Sequence, residues 1–350
     1  MTEPVRGRGA SHNPANRFIP LYYDEDPARL DPEGPAPRTQ FFVDRTRSII
    51  AQNDSPDVGF THSINPYRGC EHGCSYCYAR PYHEYLGMSA GLDFETKIMV
   101  KEDAPRLLRR ELLSPKWEPV VLSMCGVTDA YQPIERRLKI SRRCLEVLAE
   151  FRNPVGIVTK NHLVTRDIDL LQELARHHAS CVFLGITTLD DDLAGKMEPR
   201  ATRPSGRLKA ISELAAVGIP AGVMIAPVIP GLTDHEMPAI LKAAADAGAT
   251  FAAYTLLRLP YAVKDVFLHW LEQQYPERKE KVLSRIREFR EGKLTDSRFE
   301  YRGRGEGNWA ELLRDMFRLH RARVGIGPHG PGLSTAAFRR PGPAQGLLFD

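Results

Sequence analysis

Short apolar runs alternate with amphipathic segments along most of this 350-residue chain. The strand-like runs are residues 63–67, 97–100, 120–124, 155–159, 181–186, 222–225 and 251–257. The segments with helical periodicity are residues 135–151, 166–177, 206–218, 236–248 and 264–275. Strands that alternate with helices favour parallel βα units, because a helix is the usual connection between parallel strands. The chain therefore predicts an α/β fold.

Three cysteines lie close together, directly after the first of these runs. Cys70, Cys74 and Cys77 have the spacing C-x3-C-x2-C and offer three thiolates without a fourth nearby. A four-iron cluster has four irons to ligate, so three protein ligands leave one iron open to a small molecule. Structural metal sites are usually closed, and an open position implies chemistry. This pattern favours a catalytic iron–sulfur site.

Two other interpretations of the cysteines remain open at this point. With His62, His72 or His83 as a fourth ligand, they could form a zinc site in a nucleic-acid-binding module without catalysis. A zinc ribbon would not account for the surrounding strand–helix alternation. The chain could also be a TIM-barrel hydrolase or lyase with structural cysteines, whose activity would survive air and the substitution Cys70→Ala.

The cysteine spacing, with Tyr76 before the third cysteine, resembles the cluster motif of the radical S-adenosylmethionine (SAM) superfamily. Tyr78 and the downstream motifs make the chain similar to the branch around spore photoproduct lyase. Within that branch it resembles uncharacterised bacterial radical SAM proteins that share two N-terminal motifs. These are Gly-Arg-Gly-Ala at Gly7–Ala10 and Asn-Pro-x-Asn-Arg-Phe at Asn13–Phe18. The resemblance extends from Gly7 to about Phe299.

The resemblance implies a partial (β/α)6 TIM-like barrel with an N-terminal arm and a basic C-terminal tail. Seven candidate strands exceed the six expected, so one of the first three should lie outside the barrel. We predict an arm over residues 1–58, with short strands at 41–43 and 47–50. The barrel should cover residues 59–299. Residues 300–350 should contain a helix at 310–323 and a flexible tail.

The same resemblance implies a radical SAM enzyme with two cofactors, a [4Fe-4S] cluster and SAM. One electron from a reductant such as flavodoxin or ferredoxin would cleave SAM reductively to a 5′-deoxyadenosyl radical. That radical would abstract hydrogen from a substrate. Branch resemblance and mild basicity, with a net charge of +4, favour a nucleic-acid substrate in DNA repair or modification.

Polar residues follow several strand-like runs, where parallel βα barrels place their active sites. Thr128, Asp129 and Thr187 are suited to hydrogen-bond the ribose hydroxyls of SAM. The resemblance supports these three and Lys160 as positions around SAM. It also implies that the backbone at Tyr76 contacts the adenine.

The methionine carboxylate of SAM needs a cation, and Lys160 or Arg200 could supply it. Lys160 could instead be a solvated charge beside a helix. Arg200 could form a surface pair with Glu198. The sequence leaves both alternatives open.

Cys125 follows the run 120–124 and is a candidate hydrogen-atom donor. In the resembled lyases a cysteine three positions before the Asp of a Ser-Asp pair plays that part. Here the pair is Thr128-Asp129, and Cys125 lies four positions before the Asp. One residue reverses the face of an extended chain, so the match is imperfect. The alternative is a small buried apolar residue, which is also how we interpret Cys144 and Cys181.

No run approaches the roughly 18 apolar residues of a membrane span. The N-terminus has no apolar signal segment. We therefore expect a cytoplasmic protein whose thiols stay reduced and which does not bind membranes. The last residues, Gln345–Phe349, resemble the short peptide with which bacterial proteins dock on the replication sliding clamp. Gly346 replaces the usual leucine of that peptide.

Overall fold

The computed structural model describes residues 3–19 and 37–342. The strands are β1 (Gln40–Val43), β2 (Ile50–Gln52), β3 (His62–Ile64), β4 (Tyr67–Arg68), β5 (Lys97–Val100), β6 (Leu122–Met124), β7 (Val155–Thr159), β8 (Ser180–Gly185), β9 (Ala221–Val228) and β10 (Phe251–Leu256). The α-helices are α1 (Leu92–Thr96), α2 (Ala104–Leu113), α3 (Glu135–Leu138), α4 (Ile140–Phe151), α5 (Ile168–Ala175), α6 (Asp191–Met197), α7 (Pro204–Ala216), α8 (Met237–Asp246), α9 (Ala262–Gln274), α10 (Lys279–Glu288) and α11 (Gly307–Arg323).

The main sheet has the strand order β10-β9-β8-β7-β6-β3-β2. Six of these strands, β3 and β6 to β10, are parallel, and β2 pairs antiparallel with β3 at the edge. Within the described residues no pairing joins β10 to β2, so the sheet stays open. The prediction of a partial (β/α)6 barrel is confirmed.

The strands of the main sheet are apolar because both of their faces are covered, as is usual for parallel sheets. In β7, Val155, Ile157 and Thr159 are buried, and the two residues between them are partly buried. The helices α4, α5, α7 and α8 each bury an apolar side. Because these six strands are parallel, their carboxyl ends all lie at the same end of the sheet. We call this end of the sheet the active-site edge.

The strand outside the barrel is β5. It lies in a separate three-stranded sheet of order β1-β5-β4, parallel to β1 and antiparallel to β4. The predicted strand at 41–43 is confirmed as β1. The strand predicted at 47–50 is shifted and runs as β2 from Ile50 to Gln52. The described part of the N-terminal arm thus adds one strand to each sheet.

The single helix predicted over residues 135–151 is divided at Lys139, whose φ is 54°. The cause is the carboxylate of Glu135, which accepts the backbone N–H groups of Ile140 and Ser141 at 2.9 and 3.1 Å. N–H groups in the first turn of a helix have no acceptor within that helix, so a carboxylate that accepts them favours a new helix start at this point. Four further helices, α1, α2, α6 and α10, occur where no helix was predicted.

Residues 325–342, predicted as part of a flexible tail, lie against the barrel. The backbone N–H of Arg339 donates to Phe151 O at 2.9 Å, and the backbone N–H of Ser334 donates to His178 O at 2.8 Å. Both acceptors lie at the edge of the sheet opposite the active-site edge. The predicted clamp peptide, Gln345–Phe349, lies outside the described residues. In the described part of the chain, no helix has the length and apolar character needed to cross a membrane.

Candidate active site

The cysteine loop lies between β4 and α1, at the active-site edge of the sheet. Cys70 and Cys74 are buried and Cys77 is partly buried. The backbone N–H of Ser75 donates to Met197 O at 3.0 Å and ties the loop to the end of α6. The three candidate ligands thus sit on a loop held by the barrel itself.

A buried carboxylate fastens the loop to the N-terminal arm. Glu95 of α1 accepts the backbone N–H groups of Gly9 at 3.1 Å and Ala10 at 2.8 Å, and it forms an ion pair with Arg80. Both side chains of this pair are fully buried. Arg80 also donates to Cys74 O at 2.8 and 3.0 Å. Glu95 and Arg80 were not among the site residues predicted from the sequence, although Arg80 follows the last cysteine by only three residues.

Two glycines allow the arm and the loop to touch. Gly73 has a φ of 67°, and a Cβ there would lie 2.6 Å from the carboxylate of Glu95. A Cβ at Gly9 would lie 1.8 Å from Gly73 O. A side chain at either position would push the arm away from the cysteine loop. This contact gives the predicted Gly7–Ala10 motif a structural role.

The loop fits an iron–sulfur cluster. Burial raises the pKa of the Cys70 and Cys74 thiols, and the neighbouring thiols add to the shift. Metal binding must therefore displace their protons. The hydroxyl of Ser75 is buried in the same loop and finds no hydrogen-bond partner within the described residues. An unpaired O–H donor beside three thiols suits a cluster whose sulfurs accept hydrogen bonds.

The histidines of the zinc interpretation lie in three different places. His62 begins β3, at the end of the strand away from the cysteine loop. His83 contacts Lys97 O at 2.9 Å, and His72 lies 3.3 Å from Asp129.

Asp129 supports the site through its hydrogen bonds. Its carboxylate accepts from the Thr159 hydroxyl at 2.7 Å, the Lys160 backbone at 2.8 Å and the Tyr131 backbone at 2.9 Å. Burial alone would raise the pKa of Asp129, but His72 and these bonds outweigh burial and lower it to about 2. Asp129 is therefore ionised at neutral pH.

Thr128 is tied to the cysteine loop in a similar way. Its hydroxyl donates to Gly69 O at 2.7 Å, one residue before Cys70. Both members of the Thr128-Asp129 pair thus lie at the site and hold its backbone. Their contact with the ribose of SAM stays a prediction.

Tyr76 and Thr187 belong to a buried hydrogen-bond network that was not predicted from the sequence. The Tyr76 hydroxyl donates to Glu198, and the Thr187 hydroxyl lies 2.9 Å from the same carboxylate oxygen. Arg207 forms an ion pair with the other oxygen. Glu198 is 2% exposed, so the interpretation of Glu198 and Arg200 as a surface pair is wrong.

The two candidate cations make different contacts. Lys160 lies over Gly185, with its ammonium 3.1 Å from Ala226 O and 5.9 Å from the centre of the Tyr76 ring. Arg200 contacts Glu71, a residue of the cysteine loop, at 3.4 Å. The binding of the SAM carboxylate by Lys160 or Arg200 stays a prediction.

Cys125 lies directly after β6 with a φ of 85°, which is unusual for a residue with a side chain. Burial raises the pKa of its thiol, and the charges of Asp129 and Cys70 add to this shift. The next residue, Gly126, accepts a hydrogen bond from the Tyr78 hydroxyl at 2.6 Å. Cys125 thus lies beside the cysteine loop at the active-site edge.

The chain belongs to the radical SAM superfamily, whose profile matches residues 64–244, more than half of the chain. It is therefore an enzyme of this class, and its cofactors are a [4Fe-4S] cluster and SAM. These predictions from the cysteine motif are confirmed.

The chain is also similar to individual proteins and to solved structures. An uncharacterized protein of Mycobacterium tuberculosis is 36% identical over 231 residues, 65% of this chain and 67% of that protein. An uncharacterized protein of Methanocaldococcus jannaschii is 31% identical over 225 residues, 64% of this chain and 80% of that protein. Spore photoproduct lyase complexed with dinucleoside spore photoproduct has a TM-score of 0.58 at 18% identity, covering 82% of this chain and 80% of its own. This likeness shows the fold.

Replacing Cys70, Cys74 or Cys77 by Ala should remove the cluster, because a site with three thiolates has no spare ligand. We expect anaerobically reconstituted variants to lose the brown colour and most of their iron and sulfide. Cys144→Ala is the matched control, since this buried thiol lies in α4. Normal iron in the triple variant would contradict the assignment.

Lys160→Ala should weaken SAM binding, because the methionine carboxylate would lose a charge-assisted hydrogen bond of about 1.5–3 kcal/mol. That corresponds to an affinity about tenfold lower or more. Calorimetric titration of the reconstituted protein with SAM measures the change, and Lys196→Ala controls for the loss of one positive charge. An unchanged affinity would remove Lys160 from the SAM site.

Proposed function

We propose that this radical SAM enzyme acts on nucleic acid and that Cys125 returns a hydrogen atom to a radical formed on its substrate. One observation carries the proposal. A path of aromatic rings and guanidinium groups begins beside Cys125 at Tyr78 and continues onto the solvent-exposed surface. The chemistry at the cysteine loop would thereby meet a surface suited to bases.

When bound, the cluster and SAM supply one-electron cleavage of the sulfonium to methionine and a 5′-deoxyadenosyl radical, which takes hydrogen from the substrate. The residues of the chain position these reactants. Lys160 would neutralise the methionine carboxylate. The buried network of Tyr76, Thr187 and Glu198 would keep the adjoining wall of the site rigid. Asp129 would hold the backbone of Lys160 and keep its side chain directed at the carboxylate.

Cys125 would act after hydrogen abstraction. Its S–H bond breaks, a C–H bond forms on the substrate, and an unpaired electron remains on the sulfur. One electron from the same external reductant and one proton from solvent then restore the thiol. The strained backbone at Cys125 supports this role, because strain of about 1–3 kcal/mol persists where the surrounding structure imposes it and is common at functional sites.

Five rings and two arginines form a surface that we call the aromatic rim. Its members are Phe18, Tyr78, Tyr82, Tyr85 and Tyr261, with Arg17 and Arg258. Each ring is between 46% and 67% exposed. The rim is therefore a large aromatic area open to solvent, which soluble proteins rarely leave without a partner.

The rim is continuous. Arg258 lies 5.5 Å from the centre of the Tyr78 ring and within electrostatic range of Tyr82. Tyr82 lies 6.4 Å from Tyr85 between ring centres.

The path continues outward from Tyr85. Phe18 stacks on Tyr85 with 4.8 Å between the ring centres. Arg17 then bridges Phe18 and Tyr261, at 4.9 and 3.6 Å from their ring centres. The ring faces and guanidinium planes thus follow one another from the cysteine loop to α9.

Rings that alternate with arginines are typical of surfaces that bind unpaired nucleotides. Bases stack on the rings without sequence preference, and the cations attract the phosphates. The substrate that we propose is therefore a single-stranded or extrahelical nucleotide. The sliding clamp is not part of this proposal, since no finding supports it.

Cys125→Ala should leave SAM cleavage intact but stop the return of hydrogen. In deuterated water the thiol carries deuterium, so the wild-type protein should transfer it to an oligonucleotide substrate. Mass spectrometry of the oligonucleotide detects this transfer, and Cys181→Ala is the control. Equal deuterium incorporation by the Cys125→Ala variant would exclude Cys125 as the donor.

Tyr85→Ala and Tyr261→Ala should each weaken the binding of a labelled single-stranded oligonucleotide. Stacking on an aromatic side chain contributes about 1–3 kcal/mol per base, which is about 5- to 150-fold in affinity. Fluorescence anisotropy measures the loss, and Phe42→Ala tests another exposed ring on β1. Binding equal to wild type in both rim variants would contradict the proposal.

A further inference from the structure

Four arginines lie near the segment of the cysteine loop between Cys70 and Cys74. We call Arg8, Arg136, Arg137 and Arg200 the arginine patch. Arg8 and Arg200 both donate to the hydroxyl of Thr39, each at 3.1 Å. Burial and the charge of Arg200 lower the pKa of Arg8. Two guanidinium groups are thus held together although their charges repel.

The patch continues around a cavity of about 300 Å³. Arg136 and Arg200 line this cavity, together with Asn161 and Thr202. Arg137 lies beside it in α3 and places its guanidinium 5.9 Å from the centre of the Phe41 ring. The cavity therefore offers cations and neutral hydrogen-bonding groups to an incoming anion.

The positive charge of the patch is open to solvent. Arg136 and Arg137 are exposed, and the side chain of Arg200 is 34% exposed. Glu71, the carboxylate that Arg200 contacts, is only 3% exposed. Its charge is thus covered by protein while the arginines reach the surface. An approaching molecule meets a positive field.

The patch touches the cysteine loop from outside. The Arg200 backbone N–H donates to His72 O at 3.3 Å. On the other side of the patch, Gly9, next to Arg8, packs on Gly73. His72 and Gly73 lie between Cys70 and Cys74 in the sequence. Only the loop itself separates the patch from the cluster ligands.

We propose that the arginine patch is the docking surface for a small acidic protein that donates single electrons to the cluster. The inference rests on the radical SAM chemistry described above, which consumes one electron per SAM cleaved. The reduced flavin or iron–sulfur centre of the donor loses that electron, and the cluster gains it. The donor would contact the arginines and not the aromatic rim, which the proposed function assigns to the substrate.

Charge complementarity is the physical basis of this docking. Opposite charges steer encounter and raise association rates by about 10- to 1,000-fold at low salt, without requiring a large buried area. A carrier that must leave after each transfer needs this kind of weak, fast contact. Redox complexes have correspondingly small interfaces.

The double variant Arg136→Glu and Arg137→Glu tests the proposal with two reductants. Photoreduced flavodoxin must dock, whereas dithionite is a small ion that needs no docking surface. We expect flavodoxin-driven formation of 5′-deoxyadenosine to fall at least about tenfold at low salt. Dithionite-driven formation should equal that of wild type. Arg323→Glu, which reverses an exposed charge at the end of α11, should change neither rate.

Binding of oxidised flavodoxin, measured by calorimetry, is a second readout that needs no turnover. Wild-type binding should weaken as salt rises, and the double variant should bind at least about tenfold more weakly. Equal binding in both proteins, or an unchanged flavodoxin-driven rate, would overturn the proposal. The proposal would also be overturned if the double variant bound oligonucleotide more weakly but bound flavodoxin as the wild-type protein does. If dithionite gives no SAM cleavage with the wild-type protein, the radical SAM activity itself is contradicted. The calorimetric measurement would still show whether flavodoxin binds to the arginine patch.

Discussion

The buried ion pair between Arg80 and Glu95 holds the cysteine loop in place. Glu95 binds the N-terminal arm through two backbone N–H groups, and Arg80 binds the carbonyl of Cys74. Removing one partner of such a pair leaves an uncompensated buried charge, at a cost of about 3–5 kcal/mol. The pair joins three segments that are distant in sequence, and the geometry of the three thiols depends on that connection.

The cysteine loop separates two surfaces with different charge and composition. On one of them, Tyr78 beside Cys125 begins the aromatic rim. On the other, Arg200 belongs to a patch of exposed arginines. A one-electron donor and an organic substrate make opposite demands on access, because the substrate radical must be kept from competing reactants. The two proposals above assign each of them its own surface.

Some features could be predicted from sequence because they depend on local patterns. Apolar runs of four to eight residues between amphipathic segments predicted the parallel strands. The cysteine spacing predicted an open cluster site. The division of the helix at Lys139 was not predicted. Its cause is that the Glu135 carboxylate accepts hydrogen bonds from the start of the next helix, and helical periodicity does not reveal such bonds. The sequence left open which of the first three strands lies outside the barrel, since β5 has the same apolar character as the barrel strands.

The sequence by itself was enough to predict the class of chemistry, because the three thiolates lie on one short segment whose spacing resembles the radical SAM cluster motif. Only the tertiary structure separated the surroundings of Lys160 and Arg200, since each is a basic residue in a polar loop. The ammonium of Lys160 lies near Ala226 and Tyr76, whereas Arg200 pairs with Glu71. It also showed Glu198 to be a buried partner of Arg207 and Tyr76. Position relative to the cysteine loop separates these residues, and that position follows from how the strands and the N-terminal arm pack. Residues distant in sequence carry no sign of meeting until the chain has folded.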